Sequence, residues 1–386
     1  MIEKRAAIFS KESVNEFRIN GIDWNFHDVN TQEHIHALHT YPARFIPQIP
    51  RQAIINWSHP GDLILDPFCG CGTALLESIL LQRPAIGVDN NAVAYLISKA
   101  KTLPYSEKDL SILLDFKSKL DCVKKLQESK KFLIPEYKSI NYWFEDNAIS
   151  DLGLLRAEIN NLPEKPRTLA LAVFSSIIVR ASHQDSDTRY TRVPKTYSPK
   201  SAIKWFQTKL GDTINRLYEI INIPKAKCEI HLDDSRQLKF LSDQSIKLIV
   251  TSPPYLNAYD YHKYHRHRLH WINGDISFAR DLEIGKHDVF TRPKAKPDPY
   301  FEDMEKCFKE WYRILQNGGR ALVVIGDAIV QGNAVPVGDI FVDLCKDIGF
   351  VCEKRWIRTL NTNRKSFNQK ARINEEHLIL FRRECQ

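Results

Sequence analysis

The chain has 386 residues, and its 55 Lys and Arg against 47 Asp and Glu give a formal net charge of +8. At about 150 residues per domain this length allows two or three folding units. A content of 43% hydrophobic and 26% charged residues is ordinary for a globular protein. The small positive surplus excludes a histone-like tail protein but permits a surface that faces DNA or RNA.

The cysteines and the apolar runs indicate where the protein resides. The eight cysteines lack paired C-x-x-C spacing, which predicts a reduced, intracellular protein. The longest apolar run, Leu169 to Val179, is far shorter than the roughly 20 residues that a membrane helix needs. We therefore expect a soluble, cytoplasmic protein.

The sequence predicts the start of a parallel α/β sheet shortly after Pro60. A short apolar run ends in Asp66, a glycine-rich turn follows it, and a helical pattern begins at Ala74. A second apolar run ends in Asp89, and another helical pattern covers Ala92 to Lys101. Strand, glycine turn, helix, strand and helix in this order are typical of a parallel sheet covered by helices.

The alternation then stops for more than a hundred residues before it resumes. Helical patterns fill most of residues 101–225, with a polar, aperiodic stretch from Arg180 to Arg192. Further on, Asn317-Gly-Gly319 is predicted to cap a helix before another strand. We predict a doubly wound, mostly parallel α/β sheet built from residues 31–100 and 226–386, with residues 101–225 as a mostly helical insertion.

The turn after the first predicted strand suits a bound ligand. Gly70 and Gly72 let the backbone approach a ligand closely, and the next helix presents free amide groups. The dinucleotide fingerprint is incomplete because Leu75 stands where its third glycine would be, and a P-loop lysine is missing. Asp89, about twenty residues later, fits an acid that binds ribose hydroxyls. Turn and acid together indicate an adenosine-containing cofactor, whereas the turn alone could be an ordinary tight turn.

The same turn contains two thiols, Cys69 and Cys71, at C-x-C spacing. A zinc site would need further ligands, and no nearby His and Cys cluster has zinc spacing. We therefore predict two small buried side chains here and no metal.

Thr251-Ser-Pro-Pro-Tyr255 is the most distinctive motif of the chain. Two prolines cannot extend a sheet ladder, so the backbone leaves the sheet in a rigid turn that holds a hydroxyl, a carbonyl and an aromatic face together. Such a turn can accept hydrogen bonds from a planar amino group and stack on its ring, as enzymes that act on flipped-out bases require. The alternative is a proline-stiffened loop with a packed tyrosine.

Asp66 to Thr73, Asp89 and Ser252-Pro-Pro-Tyr255 together resemble the S-adenosylmethionine-dependent DNA amino-methyltransferases, which modify the exocyclic nitrogen of cytosine or adenine. Shorter similarities to this family lie in three segments: His39 to Phe45, Asp234 to Arg236 and Asn317 to Arg320. The resemblance implies a Rossmann-like class I methyltransferase fold. The long insertion departs from the family pattern and leaves the location of target recognition open.

The resemblance also implies roles for individual residues. The residues expected to bind S-adenosylmethionine are Tyr41, Phe45, Asp66, Pro67, Phe68, Gly70, Gly72, Thr73, Asp89, Asn90 and Asp234. The residues expected to be catalytic are Ser252, Pro253, Pro254 and Tyr255. Ser252 and the Pro253 carbonyl would accept hydrogens of the target amine, and Tyr255 would stack on the base.

In this family a serine before Pro-Pro-Tyr usually accompanies N4-cytosine methylation, and Asp or Asn accompanies N6-adenine methylation. We therefore predict a site-specific DNA (cytosine-N4)-methyltransferase that acts on double-stranded DNA in restriction-modification, beside a separately acting cognate restriction endonuclease. Three alternatives stay open: N6-adenine methylation, RNA amino-methylation, and a catalytically inactive DNA-binding subunit of the same fold.

Three stretches are candidates for contact with DNA. Arg180 to Arg192 carries side chains that read bases and phosphates, although a solvated loop or an active-site flap fits equally well. Tyr255 to Trp271 mixes basic and aromatic residues that suit an unstacked strand, and the basic run Val351 to Arg372 is either a phosphate-gripping edge or a solvated face. The predicted DNA-binding residues are Arg180, Gln184, Arg189, Arg192, Tyr259, Lys263 and Arg266.

Overall fold

The computed structural model of the chain describes residues 22–27, 29–120, 132–359 and 375–384. In this part a short 3-10 helix, His34–Leu38, precedes the first α-helix. In chain order the further elements are α1 (Gln48–Trp57), β1 (Ile64–Asp66), α2 (Thr73–Leu80), β2 (Ala85–Asp89), α3 (Ala92–Thr102), α4 (Glu107–Lys119), α5 (Ile140–Trp143), α6 (Asp146–Asn160), α7 (Glu164–Ala181), β3 (Gln184–Ser186), β4 (Arg189–Arg192), α8 (Ser201–Tyr218), β5 (Cys228–Leu232), β6 (Ile246–Thr251), α9 (Tyr261–Tyr264), α10 (Arg266–Ile272), α11 (Ile276–Leu282), α12 (His287–Phe290), α13 (Asp298–Ile314), β7 (Leu315–Ile325), β8 (Ala328–Val330), β9 (Asn333–Val335), α14 (Val337–Ile348), β10 (Phe350–Thr359) and β11 (Glu375–Arg383).

Seven of these strands form one sheet in the order β10-β11-β7-β6-β1-β2-β5. Strands β5, β2, β1, β6 and β7 run parallel to one another, whereas β11 runs antiparallel to both β7 and β10. The predicted doubly wound, mostly parallel sheet is thereby confirmed. The chain continues from β1 to β2 on one side and from β6 to β7 on the other, so the strand order reverses between β1 and β6. In such sheets ligands bind beyond the carboxyl ends of the strands at this switch point.

Alternation of apolar side chains along the strands gives the sheet two buried faces. Leu65 and Ile249 belong to the core that contains Phe308 of α13 and Phe341 of α14. Their sequence neighbours on the same strands belong to a second core that contains Trp57 of α1. Because helices cover both faces, the strand ends are the parts of the sheet at which a ligand can enter.

Residues 101–225 contain helices α4 to α8 and the hairpin β3–β4. Their apolar side chains share one core with the helices that follow β1 and β2, since Phe174 and Phe206 belong to the same cluster as Leu75 and Ile97. This packing fixes the helices of the segment against the sheet layer. The division of the chain into a catalytic core and an insertion stays a prediction.

Helix α7 contains the longest apolar run of the chain, and that run packs in the protein core. Leu169, Val173 and Ile178 on this helix are fully buried. In the part of the chain that the structure describes, no helix is both long and apolar enough to cross a membrane.

The polar stretch that follows α7, which is aperiodic in the sequence, forms a short hairpin. Strands β3 and β4 pair as an antiparallel hairpin, with Gln184 opposite Arg192 and Ser186 opposite Arg189. The two strands are only three and four residues long, which is too short for a period-two pattern to stand out in the sequence.

The prediction that Asn317-Gly-Gly319 caps a helix was wrong. Helix α13 ends at Ile314, and Leu315 is already extended. Between β6 and β7 the register steps from Leu315 to Arg320, so the intervening residues bulge out of the ladder. Gly318 takes a φ of +70° there, a conformation that favours glycine.

Candidate active site

The ends of β1 and β6 meet at the switch point. Thr251 Oγ1 at the end of β6 donates to Asp66 Oδ1 at the end of β1 over 2.7 Å, and the Phe68 amide donates to the same oxygen over 3.1 Å. Burial raises the pKa of Asp66 to about 7, although both hydrogen bonds act in the opposite direction. The Asp66 carboxyl group therefore links the ends of the two strands. It also lines the cleft that opens at this switch point.

The glycine turn is tied to the end of β2. The Gly70 amide donates to Asp89 Oδ2 and the Asn91 amide to Asp89 Oδ1, both over 2.9 Å. Burial raises the pKa of Asp89 to about 6, against the effect of these two amides. Gly72 has a φ of +73°, and a Cβ there would lie 2.9 Å from the Ser98 Cα, so this position requires glycine.

Aromatic rings form one wall of the cleft. The Tyr41 ring stacks on His265 at a centroid distance of 4.9 Å and on Tyr261 at 6.1 Å. Glu283 holds the segment that carries Tyr261, because its Oε1 accepts from the Tyr261 amide over 2.6 Å and its Oε2 from the His262 amide over 3.0 Å. The sequence analysis missed Tyr261 because the stretch from Tyr255 to Trp271 was interpreted as a surface for DNA, and it missed Glu283 because no motif marks that residue in the sequence.

Most residues predicted for the cofactor line this one cleft. The predicted cofactor residues that do so are Tyr41, Phe45, Asp66, Phe68, Gly70, Thr73, Asp89, Asn90 and Asp234. Two of the predicted catalytic residues, Ser252 and Pro254, line the cleft as well. The other predicted residues lie beside the lining rather than in it: Pro67, Gly72, Pro253 and Tyr255. The Pro67 carbonyl accepts from the Ser235 hydroxyl, and Gly72 is the N-cap residue that precedes α2. The lining residues that were not predicted are Pro42, Ala43, Arg44, Cys69, Cys71, Asn91, Ser235, Tyr261, Leu282, Glu283 and Ile284.

The two thiols of the glycine turn are buried, as predicted. Cys69 and Cys71 are 4% and 3% exposed, and their sulfur atoms lie near the hydroxyls of Ser98 and Thr73. Among the described residues, no three His, Cys, Asp or Glu side chains come together to hold a metal ion.

The Ser-Pro-Pro-Tyr turn lies at the carboxyl end of β6, next to the cleft. Ser252 Oγ donates to the Val324 carbonyl over 3.1 Å, and the Tyr300 hydroxyl donates to the Pro254 carbonyl over 2.9 Å. The Tyr255 hydroxyl donates to Glu376 Oε1 over 2.8 Å. Burial, and then the negative charge of Glu376, raise the pKa of Tyr255 well above its ordinary value, so the phenol stays protonated.

The predicted DNA-binding residues lie mainly on the hairpin and on α9 and α10. Arg189 and Arg266 are exposed. Arg192 donates to the Tyr142 carbonyl over 2.8 Å, and the Lys263 ammonium lies 3.1 Å from the Asp260 carboxylate. Arg180 on α7 lies over the Trp205 ring, and Tyr259 packs near Tyr261.

Gln184 and the histidine-rich helix differ from what the sequence indicated. The Gln184 side chain is fully buried and donates to the carbonyls of Ser186 and Tyr264, so it joins the hairpin to α9. His265, His267 and Arg268 are at most 1% exposed. They therefore stabilise the packing of α10 and do not face solvent in this conformation.

Arg268 binds the hairpin from inside the protein. Its Nε donates to the Ser175 carbonyl over 3.0 Å, and its Nη2 donates to Asp187 Oδ1. Asp187 lies in the turn between β3 and β4. A buried guanidinium thus fixes the hairpin relative to α7 and α10.

The basic run after Val351 is only partly solvated. Arg358 pairs with Glu376 over 2.7 Å, and Arg355 pairs with Asp339. Two of the positive charges on β10 are therefore balanced by carboxylates, one from α14 and one from β11. Residues 360–372 of this run lie outside the described residues.

Comparisons with known proteins found similar methyltransferases. A family model described as DNA methylase matches residues 5–100. The chain is 24% identical to the Type II methyltransferase M.MvaI of Kocuria varians over 382 residues, which covers 83% of each protein. It is also 24% identical to the Type II methyltransferase M.MjaII of Methanocaldococcus jannaschii, covering 76% of this chain and 72% of that protein.

Among solved structures, an S-adenosylmethionine-dependent methyltransferase from Methanosarcina mazei matches 90% of this chain and 100% of its own, with 11% identity and a TM-score of 0.35. The fold class rests on the strand order of the sheet itself.

Proposed function

We propose that this chain, which belongs to the DNA amino-methyltransferase family, transfers a methyl group from S-adenosylmethionine to the exocyclic N4 of a cytosine flipped out of duplex DNA. One observation carries the proposal. The Ser252 side chain of the Ser-Pro-Pro-Tyr turn and the Gly70–Asp89 pair line the same cleft, at the switch point of the sheet. The proposed amine acceptor and the proposed cofactor cradle therefore open into the same cleft.

The charges of the cleft fit S-adenosylmethionine. Four carboxyl side chains line it, from Asp66, Asp89, Asp234 and Glu283. The guanidinium of Arg44, which also lines it, is engaged by the carbonyls of His36 and Thr31. Asp234 is paired with Arg236 over 2.9 Å, and burial raises the pKa values of Asp66 and Asp89 to about 7 and about 6. Above these pH values the ionised carboxylates attract the positive sulfonium and amino groups of this cofactor and repel the pyrophosphate of a dinucleotide.

Individual residues would hold the parts of the cofactor. Each oxygen of Asp89 accepts one backbone amide and keeps a further lone pair, which suits ribose hydroxyls. The rings of Tyr41 and Phe68 offer apolar faces for the adenine and the methionine chain. When bound, S-adenosylmethionine supplies an electrophilic methyl group on its sulfonium.

The Ser252 hydroxyl is oriented to accept a hydrogen bond. The exocyclic amine of cytosine is a poor nucleophile because its lone pair is delocalised into the ring. Ser252 Oγ donates its own hydrogen to the Val324 carbonyl, which leaves its lone pairs available for a hydrogen of the amine. That bond, with a second to the Pro253 carbonyl, would draw the amine lone pair toward the nitrogen. Most of the catalysis would then come from positioning and electrostatics.

The hairpin β3–β4 and helices α9–α10 are the proposed DNA-facing surface. They are joined by Gln184, and they carry the exposed Arg189 and Arg266. Buried Arg268 keeps the hairpin in place beneath this surface. A flipped base needs a fixed path into the cleft, and a hairpin anchored from inside the protein provides a rigid edge for it.

Cytosine is the proposed target rather than adenine because a serine precedes Pro-Pro-Tyr. The proposed cellular role is protection of DNA in a restriction-modification system. The protein would act in the cytoplasm, beside a separate restriction endonuclease. Mass spectrometry of nucleosides from DNA of cells that express the protein tests the target. We expect N4-methylcytosine, absent when Ser252→Ala is expressed instead. N6-methyladenine would overturn the choice of base, and the absence of both modified nucleosides would overturn the activity.

A further inference from the structure

The first residues of β11 lie at the same edge of the sheet as the Ser-Pro-Pro-Tyr turn. Strand β11 runs antiparallel to its neighbours, so its amino end meets the carboxyl ends of β6 and β7. His377 pairs with Ile325, the last residue of β7, and Glu376 lies one residue beyond that pair. A carboxylate from the far end of the chain thereby reaches the candidate catalytic turn.

Glu376 is bound on both of its oxygens. Oε1 accepts from the Tyr255 hydroxyl over 2.8 Å, and Oε2 accepts from Arg358 Nη1 over 2.7 Å. Arg358 is the cross-strand partner of Glu376 on β10. The two charged side chains are only 13% and 14% exposed.

The amino-terminal segment supports the same group of residues. The Asn25 side chain accepts from the Thr359 amide over 2.9 Å, directly after Arg358. The end of β10 is thus held in place on one side by Asn25 and on the other by the Arg358–Glu376 pair.

We infer that Glu376, held by Arg358, is a positioning residue that fixes the ring of Tyr255 for stacking on the target base. This rests on the proposed function, in which Tyr255 contacts the extruded base. A tyrosine anchored only through its Cβ could rotate about its two side-chain torsions. A 2.8 Å hydrogen bond from its hydroxyl to a largely buried carboxylate removes that freedom before the base arrives.

The geometry also separates this role from that of Ser252. The Ser252 hydroxyl is committed to the Val324 carbonyl, and the Tyr255 hydroxyl to Glu376. The Ser252 side chain also lies in hydrogen-bond contact with Tyr255. Because its hydrogen is donated to the Val324 carbonyl, the serine keeps acceptor capacity for the amine, while the tyrosine is held through its hydroxyl and presents its ring. Loss of Glu376 should reduce turnover and leave cofactor binding intact.

A double-mutant cycle tests the inference. Glu376→Gln, Tyr255→Phe and the double variant are compared for tritiated methyl transfer into unmethylated genomic DNA, with cofactor affinity measured by calorimetry. Each single change should lower kcat by about tenfold to a hundredfold, since small displacements of a reacting group cost this much. The double variant should be no slower than the slower single variant, because Tyr255→Phe removes and Glu376→Gln weakens, by loss of the acceptor's charge, one and the same hydrogen bond.

Glu353→Gln is the matched control. Glu353 is likewise a half-buried carboxylate of the β10–β11 face and is paired with two arginines, Arg320 and Arg382, but at the opposite end of the strands. The Glu353→Gln variant should methylate DNA at the parent rate. Arg358→Lys, which keeps a positive charge beside Glu376, should retain more activity than Arg358→Ala, and this pair of variants replaces Glu376→Gln if that protein does not fold.

The outcomes are distinguishable. Glu376→Gln at the parent rate, or losses that multiply in the double variant, would overturn the positioning role while the parent enzyme still methylates DNA. A parent protein that transfers no methyl group to any DNA would overturn the proposed function itself, and the positioning role with it.

Discussion

The Thr251 hydroxyl donates a 2.7 Å hydrogen bond to the buried carboxyl group of Asp66, and so joins the ends of β6 and β1 across the switch point of the sheet. Two segments separated by 185 residues are linked by this one contact. The cofactor turn begins at one of the two residues, and the Ser-Pro-Pro-Tyr turn begins immediately after the other. Under the proposed function, the relative position of cofactor and target base depends on this pair.

Asp66→Asn should make the protein more stable at high pH. Burial raises the pKa of Asp66 from 3.8 to about 7, so between these values the folded state binds more protons than the unfolded state. The stability of the parent protein should accordingly fall as the pH rises through this window. Asparagine has no charge to bury. The free energy of unfolding of the variant should therefore exceed that of the parent by on the order of 2–4 kcal/mol at pH 8, and this difference should shrink toward pH 4. Urea denaturation at several pH values measures it, with exposed Asp115→Asn on α4 as the control. An equal effect at every pH would contradict the prediction.

Asp89→Ala should weaken S-adenosylmethionine binding by about tenfold to a hundredfold, as expected when a charged acceptor of hydrogen bonds is lost. Burial raises the pKa of Asp89 to about 6. Protonation below that value removes the negative charge, so the affinity of the parent protein should fall as the pH decreases from 7 to 5. Calorimetry with the cofactor at pH 8 and pH 5.5 measures both effects, and the alanine variant should lose the part of the pH dependence that comes from this group. Binding of NAD in place of S-adenosylmethionine would refute the assignment of the cleft.

Ser252→Ala and Tyr255→Ala should separate chemistry from cofactor binding. Both residues belong to the turn after β6, and neither is part of the Gly70–Asp89 pair. Cofactor affinity should stay within a few-fold of the parent value, while methyl transfer should drop by on the order of a hundredfold or more. Tritiated methyl incorporation into DNA, measured beside calorimetry for each variant, decides the matter. If both variants work at the parent rate, the turn is only a stiff loop and the catalytic residues lie elsewhere.

DNA affinity should fall steeply with salt because phosphate contacts release counterions. Arg189→Ala and Arg266→Ala remove exposed charges from the proposed DNA-facing surface. Each should reduce the slope of log affinity against log salt by about one if the side chain contacts a phosphate. Fluorescence anisotropy with labelled duplex at several ionic strengths measures the slope. Lys309→Ala, an exposed charge on α13, is the control and should leave it unchanged. A salt-independent affinity would count against the surface.

The order of the motifs and the sheet that carries them could be predicted from sequence because the signals are local. Apolar runs that end in Asp66 and Asp89 indicated buried strands. The glycines at 70 and 72 indicated a turn with a backbone conformation that residues with a Cβ rarely adopt. Two prolines after a strand specified a rigid exit from the sheet. Each of these features acts within a few residues, so no knowledge of the distant chain was needed.

What only the tertiary structure decided is which charged and aromatic residues meet. Glu376 and Tyr255 are 121 residues apart, and Arg268 reaches Asp187 across 81 residues. In the sequence such residues look like solvated charges or a basic surface, because a side chain gives no local sign of the partner that will offset its desolvation. Burial of Gln184, His265 and Arg268 likewise follows from the packing of the hairpin and α10 against α7. The position of the Tyr255 side chain was therefore set by long-range pairing, for which the sequence alone holds no periodic signal.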